Sequence, residues 1–178
     1  MKELKIKDIP KFSGDFDDWI DWNNHAKDAL SNNRWLGTAN KVGELNDNEK
    51  AISNSIFYQL AFATKESSIA MLVEKFRPKS RSTKLAEGHK AWQEIVKYFD
   101  HERNRRNIAD SIESKLNNLS VTKQSTLNVP GYINRFNYLY KQLLEYDDEN
   151  GYSRRKLLRQ FTDGILDKSY LILKRQPT

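Results

Sequence analysis

The chain has 178 residues, of which 38% are hydrophobic and 11% aromatic, and its formal net charge is +6. This content of core-forming side chains excludes a disordered tail, and the length allows one domain of ordinary size or two small ones. The sequence has no cysteine, which excludes disulfides, thiolate metal sites and cysteine nucleophiles and is consistent with an intracellular protein.

The first hundred residues contain four segments whose apolar residues recur at helical intervals. Their spacing predicts helices over residues 15–32, 48–64, 67–78 and 84–100, with a loop at 34–46. Asn46 and Glu49 match a capping box before the second helix. Pro78 ends the third helix, because proline lacks an amide hydrogen.

The rest of the chain continues as helices around one polar stretch. A fifth helix is predicted over 104–119, and the Pro-Gly pair in residues 120–131 indicates a loop and a linker. Further helices are predicted over 129–146, 153–165 and 167–174, the last two with Ser153 and Asp167 as N-caps. Since no strand alternation or internal repeat is present, we expect an all-α fold with two helical lobes: about five helices in residues 1–120 and about three in 121–178.

The segment 128–147 concentrates aromatic residues and could be read as a surface for stacking nucleic-acid bases. At 100° per residue, one arc of this helix contains most of its large apolar side chains. The members of the arc are Tyr132, Ile133, Phe136, Leu139, Tyr140, Leu143, Leu144 and Tyr146. This stripe favours packing in a core over base stacking, and it leaves only Tyr138 among the aromatics on the polar side.

Basic residues are concentrated in the later part of the chain. Residues 1–100 contain 16 Lys and Arg against 15 Asp and Glu, whereas residues 101–178 contain 14 against 9. Two clusters are the predicted contacts for RNA or another polyanion: Arg103, Arg105 and Arg106, and Arg154, Arg155 and Lys156. The alternative is a solvated basic surface without a partner.

The sequence contains no motif typical of a catalytic, cofactor or metal site. His25, His89 and His101 have no second ligand at metal-binding spacing. Neither a GxSxG elbow nor a glycine-rich phosphate loop occurs. We expect a protein that is not an enzyme and binds no metal or cofactor, although an all-α enzyme stays open because catalytic groups assemble in space.

The beginning of the chain, MKELKIKDIP, has charges where a signal peptide would have its apolar region. No segment approaches the roughly 20 apolar residues needed to span a bilayer. We therefore expect a cytoplasmic protein that is not bound to a membrane.

Four segments, in order, resemble the Gag capsid region of LTR retrotransposons, particularly copia-type elements. They are PKFSGDFDDWIDWNNHAKDAL, AWQEIVKYFDHERNRRNIADSIESKLNNLSV, VPGYINRFNYLYKQLL and LLRQFTDGILDKSYLIL. The resemblance covers nearly the whole chain. It implies an N-terminal helical lobe, a flexible joint and a smaller C-terminal lobe.

The same resemblance places the helix at 129–146 at the major homology region of retroviral capsids. Arg135 and Phe136 match the Arg-Phe pair of that motif, Tyr132 its upstream aromatic residue and Gln124 its glutamine. The motif's glycine and acidic residue are replaced by Ser125 and Leu127.

The function implied is a structural capsid protein that assembles with copies of itself into virus-like particles around element RNA. The expected assembly interface includes Tyr138, Leu157 and Phe161, although for the last two a place in the core is favoured over a contact. The family usually has a zinc knuckle after the capsid, which a chain without cysteine does not contain. The main alternative is a domesticated Gag-derived or unrelated helical adaptor that forms no shell.

Overall fold

The protein, analysed as a computed structural model, is described over residues 7–79, 84–120, 128–146 and 154–165, with only the backbone for Arg154 and Arg155. These residues form helices and no β-strand, which confirms the all-α prediction. The helices are α1 (Phe16–Asn32), α2 (Leu36–Ala39), α3 (Asp47–Ala63), α4 (Ala70–Glu74), α5 (Gly88–Asp100), α6 (Glu102–Asn118), α7 (Val129–Tyr146) and α8 (Arg154–Asp163).

Helix α3 begins as the sequence predicts. Asn46 accepts a hydrogen bond from the backbone N–H of Glu49 at 2.9 Å, and the Glu49 carboxylate accepts one from the backbone N–H of Asn46 at 2.8 Å. Lys41 adds an ion pair to Glu49 at 2.6 Å. The capping box therefore satisfies donors that an isolated helix end would leave unpaired.

Two short elements differ from the predictions in the first half of the chain. Residues 36–39 were predicted as part of a loop but form α2, a single turn that is too short to show periodicity. Gln93 of α5 stabilises the end of this turn by donating to the carbonyls of Ala39 at 3.0 Å and Lys41 at 2.9 Å. The third predicted helix, 67–78, is α-helical only at Ala70–Glu74.

The Pro-Gly pair at 130–131 lies where the predicted loop 120–131 overlaps the predicted helix 129–146, and it belongs to the helix. Pro130 and Gly131 lie in the first turn of α7, where proline is tolerated because that turn's amides have no helical partner. The Asn128 side chain caps the turn by accepting from the Gly131 N–H at 2.8 Å. The short helix predicted at 167–174 lies outside the described residues.

The chain divides into two compact units, Met1–Asn104 and Arg105–Thr178, so the division falls earlier than the boundary expected at residue 120. The reason is that α6 is bound to the helices that follow it. Arg105 donates to the carbonyl of Glu145 in α7 at 2.6 Å, and Lys156 of α8 pairs with Glu113 at 2.5 Å. The predicted boundary had placed α6 in the first lobe, because the polar stretch that was interpreted as the linker begins only after α6.

The core of the first unit is an aromatic cluster that joins α1 to α5. Trp19 of α1 stacks on Phe99 of α5 with ring centroids 4.1 Å apart, and Trp22 stacks on Phe12 at 4.4 Å. The Trp22 indole donates to the carbonyl of Pro10 at 2.8 Å. Large aromatic rings contribute much of the free energy of burial. Phe12 therefore holds the segment that precedes α1 against the core.

The core of the second unit lies between α6, α7 and α8. Its buried side chains are Ile108, Ile112, Leu116, Tyr132, Phe136, Leu139 and Leu143. On α6 these residues recur at intervals of four, which places them on one face.

Candidate functional site

Tyr132 and Phe136, two of the residues predicted to form a major-homology-like motif, are buried core residues of the second unit. Each ring contacts Phe161 of α8, with centroids 5.5 Å apart for Tyr132 and 5.1 Å for Phe136. Arg135 points away from this core and places its guanidinium 5.2 Å from the Tyr138 ring. Gln124 lies outside the described residues.

The Tyr132 hydroxyl fastens α7 to the end of α8. It donates a hydrogen bond to the carbonyl of Phe161 at 2.8 Å. Burial, assisted by the negative charge of Asp163, raises the pKa of Tyr132 to about 12. The hydroxyl therefore stays protonated and able to donate at neutral pH.

Gly164 allows this close approach at the end of α8. A Cβ at Gly164 would lie 2.8 Å from Cε2 of Tyr132 and 2.6 Å from the carbonyl oxygen of Leu119. Both distances are too short for real carbon contacts, so only glycine fits here without movement of its neighbours. Nothing in the one-dimensional pattern indicated this role.

Phe161 and Leu157 had been left open between core and assembly interface. Phe161 is half-buried against Tyr132 and Phe136, so its ring serves the core of the unit. Leu157 is also half-buried, whereas the neighbouring Leu158 is 54% exposed.

The predicted apolar arc of α7 is too wide. Ile133 is 37% exposed and Leu144 50% exposed, although both were assigned to the core, and Gln142 is buried although it was assigned to the polar face. The buried arc is centred on Tyr132, Leu139 and Leu143, because that is the face that the unit covers. Helical projection gives the angles between side chains but does not show which part of an apolar face meets another helix.

One side of α7 therefore carries apolar residues that are only partly buried. From Ile133, steps of seven and then four residues lead to the half-buried Tyr140 and to Leu144, so the three lie on one stripe. Tyr138, 37% exposed, lies on a different side of the same helix. We call Ile133, Tyr140 and Leu144 the α7 stripe.

The first cluster predicted to contact polyanions, Arg103, Arg105 and Arg106, lies at the start of α6. Arg105 is half-buried, and its guanidinium lies 5.1 Å from the Tyr146 ring. Arg106 is exposed, and Lys156 is exposed but paired with Glu113. The side chains of Arg154 and Arg155 lie outside the described part of the chain.

The first unit contains a buried Ser–His pair that the sequence did not indicate. The Ser53 hydroxyl lies 2.9 Å from Nδ1 of His89 and accepts from the His89 backbone N–H at 3.2 Å. Ser53 is only 1% exposed, and together with His89 it lines a cavity of about 680 Å³. Burial lowers the pKa of His89, and the nearby charge of Lys90 acts in the same direction.

Within the residues that the structure covers, no group of three or more His, Asp or Glu side chains is arranged to hold a metal ion. None of the helices there is both long and apolar enough to cross a lipid bilayer. No family model, curated protein or solved structure matches the chain with significance.

Proposed function

We propose that this chain is a Gag-like structural capsid protein that assembles with copies of itself into virus-like particles enclosing RNA in the cytoplasm. The proposal rests first on the four segments that resemble copia-type Gag in order along the chain. A helical adaptor that forms no shell would have the same core, so self-assembly is the property that distinguishes the two.

The α7 stripe is the observation that best supports a self-association surface. Leu144 is 50% exposed and Ile133 37% exposed, whereas Leu139 and Leu143 of the same helix are buried. Exposed apolar groups of this kind mark interaction sites when they cluster rather than occur singly. A shell needs only weak contacts of this kind, because closed symmetric assembly adds many of them together.

Tyr138 provides a second, more polar contact group. Its ring is partly exposed and lies beside the exposed Arg135. Paired aromatic and arginine side chains are enriched at protein interfaces, where they combine apolar area with a donor. On α8 the corresponding apolar candidates are Leu157, which is half-buried, and Leu158, which is 54% exposed.

The proposed RNA partner is supported by charge. The later part of the chain has an excess of five basic residues, from 14 Lys and Arg against 9 Asp and Glu in residues 101–178. Contact with phosphates predicts binding that weakens steeply with salt, whereas an inert basic surface predicts no binding. Affinity for single-stranded RNA at low and moderate salt tests this, and absence of binding at low salt would remove RNA from the proposal.

Self-assembly is tested by light scattering and electron microscopy over a series of protein and salt concentrations. The informative variant is Leu144→Ser, and Met71→Ser is its control because Met71 is an exposed apolar residue of α4 in the first unit. We expect particles from the wild type and the control and far fewer from Leu144→Ser. A wild type that stays monomeric at high concentration and high salt would support the adaptor instead.

A further inference from the structure

The central part of α3 is uncharged on every side. Residues 51–64 include no Asp, Glu, Lys or Arg, although 30% of the residues in the chain are charged. One side of the helix is buried in the core of the first unit through Ile56, Phe57 and Leu60. The opposite side is the one on which a surface helix normally presents charged groups. On α3 this second side is also suited to burial.

The outer side of α3 presents two aromatic rings and two small residues. Tyr58 is 53% exposed and Phe62 67% exposed, and Ala51 is exposed as well. The half-buried Ser55 turns its hydroxyl back to its own helix, donating to the carbonyl of Ala51 at 3.2 Å. We call Ala51, Ser55, Tyr58 and Phe62 the α3 face. Exposed apolar groups that cluster in this way mark interaction sites.

The spacing of the α3 face indicates the shape of its partner. Its residues follow one another at intervals of four, three and four along the chain. This alternation places them within roughly 60° of one another around the helix axis. It is also the spacing of the seam along which two helices pack side by side. The α3 face therefore fits another helix.

The order of large and small residues on the α3 face makes it complementary to itself. Ala51 and Ser55 occupy its N-terminal half, and Tyr58 and Phe62 its C-terminal half. If a second α3 lies antiparallel, with a two-fold axis between residues 56 and 57, Phe62 of each copy packs over Ala51 of the other. Tyr58 then packs over Ser55. Parallel pairing would set large against large and small against small, which leaves the small end poorly packed.

The two ends of the α3 face also differ in charge. Three acidic and two basic residues surround the start of α3, and two basic and one acidic residue surround its end, so the ends carry net charges of −1 and +1. The first group is Glu44, Asp47, Glu49, Lys41 and Lys50, and the second is Lys11, Lys65 and Glu66. Antiparallel pairing brings opposite charges together and sets the two helix dipoles in opposite directions. Complementary charge of this kind selects orientation more than affinity.

We propose that the α3 face is a dimer interface at which α3 of one copy packs antiparallel against α3 of a second copy. A two-fold contact needs a surface that is complementary to itself, and the α3 face has this property in both size and charge. It belongs to the first unit, whereas the α7 stripe belongs to the second. The dimer does not require that a shell forms, and in a particle it supplies a further contact for each chain.

The register is tested by disulfide cross-linking of single-cysteine variants, because the chain has no cysteine of its own. In the antiparallel dimer, the two copies of residue 55 are about 4–5 Å apart along the helix axes, and the two copies of residue 51 about 16 Å. A disulfide joins Cα atoms that are at most about 7 Å apart. Ser55→Cys should therefore cross-link under mild oxidation, and its matched control Ala51→Cys should not. Equal cross-linking of the two variants, or none in Ser55→Cys, would overturn the proposal.

The affinity is measured by sedimentation velocity over a series of protein concentrations, with circular dichroism as the check that each variant is folded. Phe62→Lys places a charge in the interface and should weaken dimerisation at least about tenfold. Met71→Lys makes the same change at a residue of α4 that is 77% exposed, and it should leave dimerisation unchanged. Equal effects of the two variants would refute the interface. A wild type that is monomeric throughout would show that the α3 face binds another protein or none.

Cross-linking of Ser55→Cys in a Leu144→Ser background separates this dimer from the proposed shell. Particles should be lost in this background, whereas the cross-link should still form. A cross-link that disappears with Leu144→Ser would show that the contact depends on particle formation, and it would overturn the independent dimer. A wild type that cross-links through Ser55→Cys but forms no particles would support the dimer and refute the shell.

Discussion

Replacement of Phe136 by alanine is the sharpest test of the second unit, because Tyr138 is two residues away on the same helix and provides a matched comparison. Phe136 is 3% exposed and its ring packs edge-on against Phe161 at 5.1 Å. Truncation of a buried phenylalanine costs about 3–5 kcal/mol, from lost transfer free energy and the cavity that remains.

Tyr138→Ala should cost much less. The Tyr138 ring is 37% exposed, and its contact with Arg135 at 5.2 Å is a surface cation–π pair of roughly 0.5–1 kcal/mol. Alanine also has a higher helix propensity than tyrosine, which offsets about 0.5 kcal/mol of the loss. The two variants should therefore differ by at least about 2 kcal/mol in the free energy of unfolding.

The assay is urea unfolding followed by far-UV circular dichroism, combined with hydrogen exchange resolved along the chain. A unit the size of Arg105–Thr178 is stable by roughly 4–11 kcal/mol, so Phe136→Ala should strongly lower protection across α6, α7 and α8. Tyr138→Ala should leave that protection nearly unchanged, and under the proposed function it should reduce the number of particles formed. Equal destabilisation by the two variants would show that Phe136 and Tyr138 have been assigned to the wrong faces of α7.

Three further changes test other contacts by urea unfolding. Gly88→Ala should destabilise the chain by about 1–3 kcal/mol, because the added methyl meets the backbone of Ser53 and Phe57 rather than a movable side chain; a neutral or stabilising result would contradict the close approach. Asn46→Ala should cost about 1 kcal/mol through loss of the α3 cap, and an unchanged midpoint would argue against it. Tyr132→Phe should cost about 0.5–1.5 kcal/mol at neutral pH. Because the folded pKa of Tyr132 is raised from 10.0 to about 12, its contribution is complete below pH 10 and is lost as the pH rises toward 12, a decline that the Phe variant should lack.

Much of the helical architecture could be predicted from the sequence, because helix formation here depends on local signals. The capping box at Asn46 and Glu49 and the apolar repeats of α1, α5 and α6 depend on residues within a few positions of one another. The four-residue α2 could not be predicted in this way, since its end is stabilised by Gln93, which is distant in sequence.

The sequence by itself determined the all-α class and the side of α7 that carries Tyr132 and Phe136, because residue spacing sets angles around a helix axis. Only the tertiary structure decided that Ile133 and Leu144 are exposed, because burial depends on which neighbouring helices are present and how wide an arc they cover. The pairing of Ser53 with His89 likewise joins residues 36 positions apart, and the close fits at Gly88 and Gly164 come from helices brought together by the fold.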